Sequence, residues 1–207
     1  MSIFNPAERT DEQRFYCESV DHFATHRENQ YISNGKAEHA IYLISKLFGM
    51  ADNQLRIYSD RLKHTLTKED RDDSGEPLDF YGHPELIKKA KRFLTKPGFK
   101  FTVVVENGLD DPQAHPLIKL VKSLEKQGTL KADCEFRQLT EEAKAELVTE
   151  EFGNHFIVAD EQAYRCELND DQHNYSAGAN FGAPKTAALL AEIYDSFHIE
   201  NSTPISI

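Results

Sequence analysis

The sequence predicts an α/β domain in which helices flank a layered, mostly parallel sheet. Between residues 37 and 168, stretches with helical spacing of apolar residues alternate with short β-branched or aromatic runs, which is the pattern of successive βα units. The last two runs are separated by only three residues, so they are expected to pair antiparallel at the end of the sheet. A chain of 207 residues is long enough to form one such domain with its own core.

The chain begins with two predicted helices. Thr10 and Gln13 match the capping-box pattern, and the apolar residues that follow have helical spacing, so a helix is expected at residues 10–28. A second helix is expected to begin at a cap, either Ser33 or Asn34, and to present an apolar face to the core. The first helix is interpreted as an extension that precedes the α/β domain.

The rest of the chain alternates between strands and helices. Residues 55–58 are predicted to form a short strand, and the polar segment 60–82 a long loop of the kind that is often functional. Pro84, Pro116 and Pro184 each mark the first turn of a predicted helix. The later helices are expected at residues 84–96, 116–127, 140–148 and 184–197, and the later strands at residues 99–105, 134–139, 155–159 and 163–168.

The domain boundaries follow from these elements. We expect an N-terminal helical extension at residues 1–32, the α/β domain at residues 33–200 and a short tail at residues 201–207. No stretch has the apolar length of a signal peptide or a membrane span. The three cysteines are odd in number and widely spaced, which favours a reducing compartment, so the protein is predicted to be cytoplasmic.

The net charge of the chain is −11 at neutral pH, which argues against nucleic acid as the main partner. Nucleic-acid binders concentrate lysine and arginine on one face, because phosphate neutralisation supplies most of their affinity. One predicted helix nevertheless carries a basic stripe, whose ordinary interpretation is the solvated face of an amphipathic helix. The basic stripe consists of Lys88, Lys89, Lys91, Arg92 and Lys96.

Two histidines precede predicted helices that begin with proline. His83 and His115 are candidates for ligand binding at the rim of the sheet, where α/β folds place their ligands. An ordinary helix entry explains the same pattern.

A second pair of histidines lies on the first predicted helix. His22 and His26 are four residues apart, an acceptable spacing for two metal ligands. No third ligand at a telling distance accompanies them in the sequence. The sequence therefore predicts neither a metal site nor a cofactor.

Three segments of the chain resemble one half of the phospholipase D-like fold. Residues 40–59 are similar to the opening helix and strand of that family, and residues 82–105, with His115, Pro116 and Leu117 after them, to its second and third units. Residues 152–194 cover the region of the family's signature, in which His-x-Lys precedes an apolar strand ending in Asp, and a small-residue turn with Asn follows. The resemblance extends over residues 35–199 and implies a site built from two such halves, from two repeats or from a dimer.

The signature is incomplete in this sequence. If the apolar strand is aligned with that of the family, Asp160 matches the Asp, Asn180 the Asn, His155 the Lys and Gly153 the nucleophilic His. In the family the His attacks phosphorus, the Lys holds phosphate oxygens and the Asp supports the site electrostatically. Glycine cannot attack phosphorus, so this alignment implies that catalysis is lost. Asp160 is also a residue type that ordinarily shapes turns.

An alternative register keeps a nucleophile. It places His155 at the position of the nucleophilic His, but Ile157 then replaces the Lys and Gln162 replaces the Asp. Each of the two registers lacks at least one group that the chemistry needs.

From the incomplete signature we predict a non-catalytic phospholipase D-like module that binds or regulates, within a multi-protein assembly or as a homodimer. Two alternatives stay open. One is a phosphodiesterase or nuclease with a displaced site, in which His155 acts with His83 or His115 and Asn180 positions the substrate. The other is a nucleic-acid-binding accessory protein that uses the basic stripe.

Overall fold

An eight-stranded sheet with helices on both faces forms the body of the protein. The computed structural model describes residues 3–62, 79–109, 111–149, 155–167 and 177–207. The helices are α1 (Asp11–His26), α2 (Ala37–Met50), α3 (Pro84–Leu94), α4 (Pro116–Lys126), α5 (Glu141–Thr149) and α6 (Pro184–Ile193), which continues into a π-helical segment (Tyr194–Ile199). The strands are β1 (Ile32–Asn34), β2 (Gln54–Ser59), β3 (Lys100–Val105), β4 (Asp133–Leu139), β5 (Phe156–Ala159), β6 (Ala163–Glu167), β7 (Ala177–Asn180) and β8 (Ser202–Pro204).

The strands follow the order β1-β7-β6-β5-β2-β3-β4-β8 across the sheet. β2, β3 and β4 are parallel, as the βα alternation predicts. The other five neighbouring pairs are antiparallel, so the prediction of a mostly parallel sheet is wrong. The change comes after α5, because β5 enters beside β2 in the opposite direction, β6 and β7 follow it in succession, and β1 and β8 add antiparallel edges.

Three strands are not predicted from the sequence. β1 includes Ser33 and Asn34, which were expected to cap α2; the residue at the N-cap is instead Lys36, whose side chain makes no capping hydrogen bond. β7 consists of small residues, where the family resemblance implied a small-residue turn ending at Asn180; alanine and glycine have low strand propensity. β8 pairs with β4 inside the expected C-terminal tail. The predicted loop at residues 60–82 lies mostly outside the described residues.

The sheet separates two apolar cores because successive side chains of a strand point to opposite faces. In β3, Phe101 and Val103 pack in the larger core with residues of α1 to α4, whereas Val104 packs with α5 and α6 on the other face. Burial on both faces explains why the central strand β5 is a continuous apolar run. None of the described helices combines the length and the apolar character that crossing a membrane requires.

The direction of β5 divides the motif residues between two ends of the sheet. β2, β3 and β4 point the same way, and we call the end where they finish the carboxyl edge and the opposite end the amino edge. β5 runs from the carboxyl edge to the amino edge. His155 precedes the four residues of β5 and Asp160 follows them, so the two are five positions apart, or roughly 16 Å along an extended strand.

Candidate functional site

His155 lies at the carboxyl edge, and carboxylates contact both nitrogens of its ring. Nδ1 is 3.1 Å from Oε2 of Glu167, and Nε2 is 3.2 Å from Oε1 of Glu106. Glu106 follows β3 and Glu167 ends β6, so three strand ends converge on the imidazole. Both nitrogens can donate only when the ring is protonated. The arrangement is that of an imidazolium between two carboxylates.

The pKa of His155 reflects competing effects. Burial disfavours the charged ring, but the hydrogen bonds to Glu106 and Glu167 outweigh it and raise the pKa of His155 to about 9. Burial likewise acts to raise the pKa of both carboxyl groups, yet the hydrogen bonds from His155 hold the pKa of Glu106 and Glu167 below its usual value. At neutral pH the ring is a cation and both glutamates are anions.

Further side chains hold the two glutamates in place. The Tyr58 hydroxyl donates to the same oxygen of Glu106 that faces His155. Nη1 of the buried Arg165 donates to Oε1 of Glu167 at 3.3 Å. His155 and Arg165 therefore provide two positive charges that match the two carboxylates. We call these five residues (Tyr58, Glu106, His155, Arg165 and Glu167) the carboxyl-edge network.

His198 contacts this network from the smaller core. Its ring is fully buried, and its centroid lies 3.9 Å from that of Tyr58. Nδ1 lies 3.3 Å from the carbonyl oxygen of Ile193, while Nε2 has no hydrogen-bond partner among the described residues. Burial lowers the pKa of His198 to about 4. Two histidines therefore contact the same tyrosine but differ in charge at neutral pH: His155 is a cation and His198 is neutral.

Asp160 does not approach His155, because it lies in the β5–β6 turn at the amino edge. Its Oδ2 accepts the backbone N–H of Asp52 at 2.9 Å, and its Oδ1 accepts those of Asn53 and Gln54, each at 2.9 Å. Its backbone is left-handed, with φ 54°, a conformation that Asp tolerates better than most residues. Asp160 thus joins the turn to the start of β2.

Asn180 also lies at the amino edge, where it pairs with Tyr164 in the sheet. Its Oδ1 accepts the backbone N–H of Gly182 at 3.0 Å, and its Nδ2 donates to Oδ1 of Asn29 at 2.8 Å. The structure does not bring Asn180 and His155 into one cleft. The geometry therefore gives no support to a displaced catalytic site that needs both residues.

His83 and His115 occupy the N-cap positions of α3 and α4. Helices that follow parallel strands begin at the carboxyl edge, so both histidines lie toward the same edge as His155. Nδ1 of His83 accepts the backbone N–H of Glu85 at 3.3 Å, and its ring lies 3.8 Å from that of Phe4. The buried His115 places Nε2 2.9 Å from the carbonyl oxygen of Leu62.

The positions of the two proposed registers fall partly outside the described residues. Gly153 is not described. Ile157 is buried in β5, and Gln162 lies in the β5–β6 turn with Asp160.

The residues that surround His155 do not stand out as a group in the sequence. Glu106 and Glu167 each stand where a predicted strand ends, and this position was the available signal, because strand ends meet at one edge of an α/β sheet. Arg165 was also detectable as a cation inside an apolar strand. Which strand ends become neighbours depends on the strand order, and the local pattern does not reveal that order.

Comparison with protein-family models finds no match, and comparison with curated protein sequences finds none. Among solved structures, the chain is similar over 94% of its length to TrmBL2, described as an archaeal chromatin protein with a novel mode of DNA binding, with a TM-score of 0.51 and 14% sequence identity. The chain spans 62% of the length of that chain. This likeness shows a shared fold.

Two further similarities are looser. Nuc, a phospholipase D family member from Salmonella typhimurium, matches 86% of this chain over 100% of its own length, with a TM-score of 0.47 and 10% identity. NucT from Helicobacter pylori matches 85% over 100% of its own length, with a TM-score of 0.46 and 9% identity. Scores at this level do not assign the chain to a family.

Proposed function

We propose that the chain is a non-catalytic phospholipase D-like module that acts by binding. The observation that carries the proposal is the state of His155, whose two ring nitrogens both contact carboxylates and whose pKa is raised to about 9. A histidine attacks phosphorus with the lone pair of a neutral ring nitrogen. An imidazolium has no such lone pair, so the only candidate nucleophile that the sequence alignments offer is inactive at neutral pH.

The charges around His155 also disfavour a phosphodiester substrate. A phosphodiester carries a negative charge, and the positive charges of His155 and Arg165 are already matched by Glu106 and Glu167. A phosphate group that entered the site would have to displace one of these carboxylates.

A second copy of the chain would not restore catalysis. Pairing across a two-fold axis, as in the single-half members that the sequence resembles, would add a second His155 with the same two carboxylate partners. The association proposed for the module, as a homodimer or with another protein, therefore has a role in binding and not in catalysis.

The proposal is tested by measuring hydrolysis of bis(p-nitrophenyl) phosphate in the presence of EDTA. The assay is run between pH 5 and pH 10 in steps of about one pH unit. We expect no turnover above buffer for the wild-type chain at any pH up to the pKa of His155. Hydrolysis that His155→Ala abolishes, and that Lys126→Ala on the exposed end of α4 leaves intact, contradicts the proposal.

The mode of association is tested by sedimentation equilibrium of the intact chain at several concentrations. A homodimer should appear as a reversible change of mass with concentration. If the chain stays monomeric at all concentrations, the homodimer is excluded and the proposed partner is a different protein.

A nucleic-acid accessory role is the second candidate, favoured by the exposure of Lys88, Lys91 and Arg92 on the solvent face of α3. The similar chromatin protein is described as binding DNA. Against this role, Lys88 lies 3.7 Å from Glu85, and Lys96 lies over the ring of Phe99 at 4.6 Å.

Binding of a duplex through the basic stripe should weaken steeply with salt, because each phosphate contact releases counterions. A double substitution, Lys91→Ala with Arg92→Ala, should reduce both the affinity and the salt slope, whereas Lys126→Ala should change neither. An affinity that is insensitive to salt between low and moderate concentration removes this candidate.

A further inference from the structure

We propose that His22, His26 and Glu28 form a binding site for one divalent transition-metal ion of the zinc type. Each residue offers one ligand atom, and these atoms all lie within 4.8 Å of one another. The sequence shows only the two histidines as a pair, because Glu28 lies beyond the end of α1. The fold adds the third ligand.

The hydrogen bonds of the two histidines orient their rings. Nδ1 of His26 lies 2.8 Å from the carbonyl oxygen of His22, so it carries the proton and leaves Nε2 for a metal ion. A ligating histidine commonly donates its other N–H to a carbonyl in this way. Nε2 of His22 lies 3.0 Å from Oε1 of Glu28. The ring centroids of His22 and His26 are 4.3 Å apart.

The end of α1 places Glu28 beside the last helical turn. Arg27 has a left-handed backbone with φ 51°, and the backbone N–H of Glu28 donates to the carbonyl oxygen of Phe23 at 3.0 Å. This is the reversal that ends many helices. It turns the chain back toward the face of α1 that carries the two histidines.

Contacts on both sides hold this reversal against the body of the protein. Arg27 pairs with Asp52 at 2.6 Å, and Asn29 accepts a hydrogen bond from Asn180. Gly182 lies so close that a Cβ on it would be 1.9 Å from the carbonyl oxygen of Arg27. Only glycine permits this approach, so Gly182 allows the segment after β7 to pack against the backbone next to Glu28.

The ligand set suits zinc rather than magnesium or calcium. Imidazole nitrogen with a carboxylate oxygen is a common donor set for Zn²⁺, whereas the hard cations prefer oxygen alone. Metal–ligand bonds of about 2.1 Å separate tetrahedral ligands by about 3.4 Å, so the three ligand atoms, which lie within 4.8 Å of one another, need to approach by at most about 1.4 Å. Water would complete the coordination, and the bound ion would fasten the end of α1.

The test is calorimetric titration of the intact, chelator-treated chain with Zn²⁺, and with Mg²⁺ in parallel. We expect one Zn²⁺ per chain and no comparable binding of Mg²⁺. His22→Ala and His26→Ala should each weaken the Zn²⁺ affinity by roughly 100-fold, and Glu28→Gln by roughly tenfold. Glu18→Gln, an exposed carboxylate on the same helix, is the matched control and should leave the affinity unchanged.

A second readout separates this site from binding at the three cysteines. Zn²⁺ should raise the midpoint of thermal unfolding of the wild-type chain and of Glu18→Gln, but not that of the double variant His22→Ala, His26→Ala. Zn²⁺ binding that the double variant retains at full affinity assigns the ion to another site and overturns the proposal. Equal binding of Mg²⁺, or the absence of any Zn²⁺ binding at millimolar concentration, overturns it as well.

Discussion

The two ends of β5 hold charged groups that are satisfied in different ways. At the carboxyl edge, the His155 cation is matched by the titratable side chains of Glu106 and Glu167. At the amino edge, the Asp160 anion is matched by three backbone N–H groups, which do not titrate. The comparison shows that two positions aligned with a catalytic signature both have structural partners here: carboxylate side chains contact His155, and backbone N–H groups contact Asp160.

The largest effect is expected from removing the amino-edge interaction. Asp160→Ala loses three hydrogen bonds to a carboxylate and also forces a left-handed conformation on alanine, so we expect a loss of about 3 kcal/mol in the free energy of unfolding. Urea denaturation measures it. Asp160→Asn keeps the backbone preference and one acceptor oxygen, so its loss should be about half as large. Equal stability of Asp160→Ala and the wild type would show that the three bonds contribute nothing net.

A smaller effect is expected from pH at the carboxyl edge. Because folding raises the pKa of His155 to about 9, the stability it contributes is fully present below its ordinary pKa of about 6.5 and is lost as the pH rises through about 9. We expect the free energy of unfolding to fall by about 2 kcal/mol over that range, after allowance for the partly exposed Glu167.

The matched variants for this pH dependence come from the two ends of β5. His155→Ala should lose the fall in stability between about pH 6.5 and pH 9, whereas Asp160→Asn should keep it. A wild-type curve that is flat over this range would contradict the protonated state of His155.

The smallest effect is expected from removing one carboxylate partner of His155 at a time. Glu106→Gln and Glu167→Gln each remove one carboxylate, so the pKa of His155 should fall toward its ordinary value of about 6.5 in both variants, as measured by NMR titration of the ring. Glu18→Gln on α1 should leave the pKa of His155 unchanged. A pKa that stays at its wild-type value in both variants would mean that other groups set it.

The local elements were predictable where the apolar pattern and the helix-start or turn residues indicate the same boundaries. Pro84, Pro116 and Pro184 do open helices, and β3 is the apolar run that the sequence predicts. The antiparallel pairing of β5 and β6 also follows from the short connection between them. Strands of small residues such as β7, and the place where β5 enters the sheet, depend on contacts between distant segments.

The site was predictable only in part for the same reason. His155 stands out because it adjoins an apolar strand, but its partners Glu106 and Glu167 lie 49 and 12 residues away in the sequence. Asp160 was predicted either as a motif residue or as a turn residue. Its three backbone partners, residues 52 to 54 at the start of β2, lie 106 to 108 residues earlier in the chain. Local sequence gives the chemistry of each group but not its neighbours.

The position of β5 in the middle of the sheet has a consequence for synthesis on the ribosome. β2 ends at Ser59, while its neighbour β5 begins only at Phe156. The parallel strands β2, β3 and β4 can therefore pair while the long flank of β2 still exposes unpaired N–H and C=O groups, which are a template for strands of other nascent chains. Until β5 is synthesised, a chaperone that covers this edge of β2 would prevent the incomplete sheet from pairing with other nascent chains.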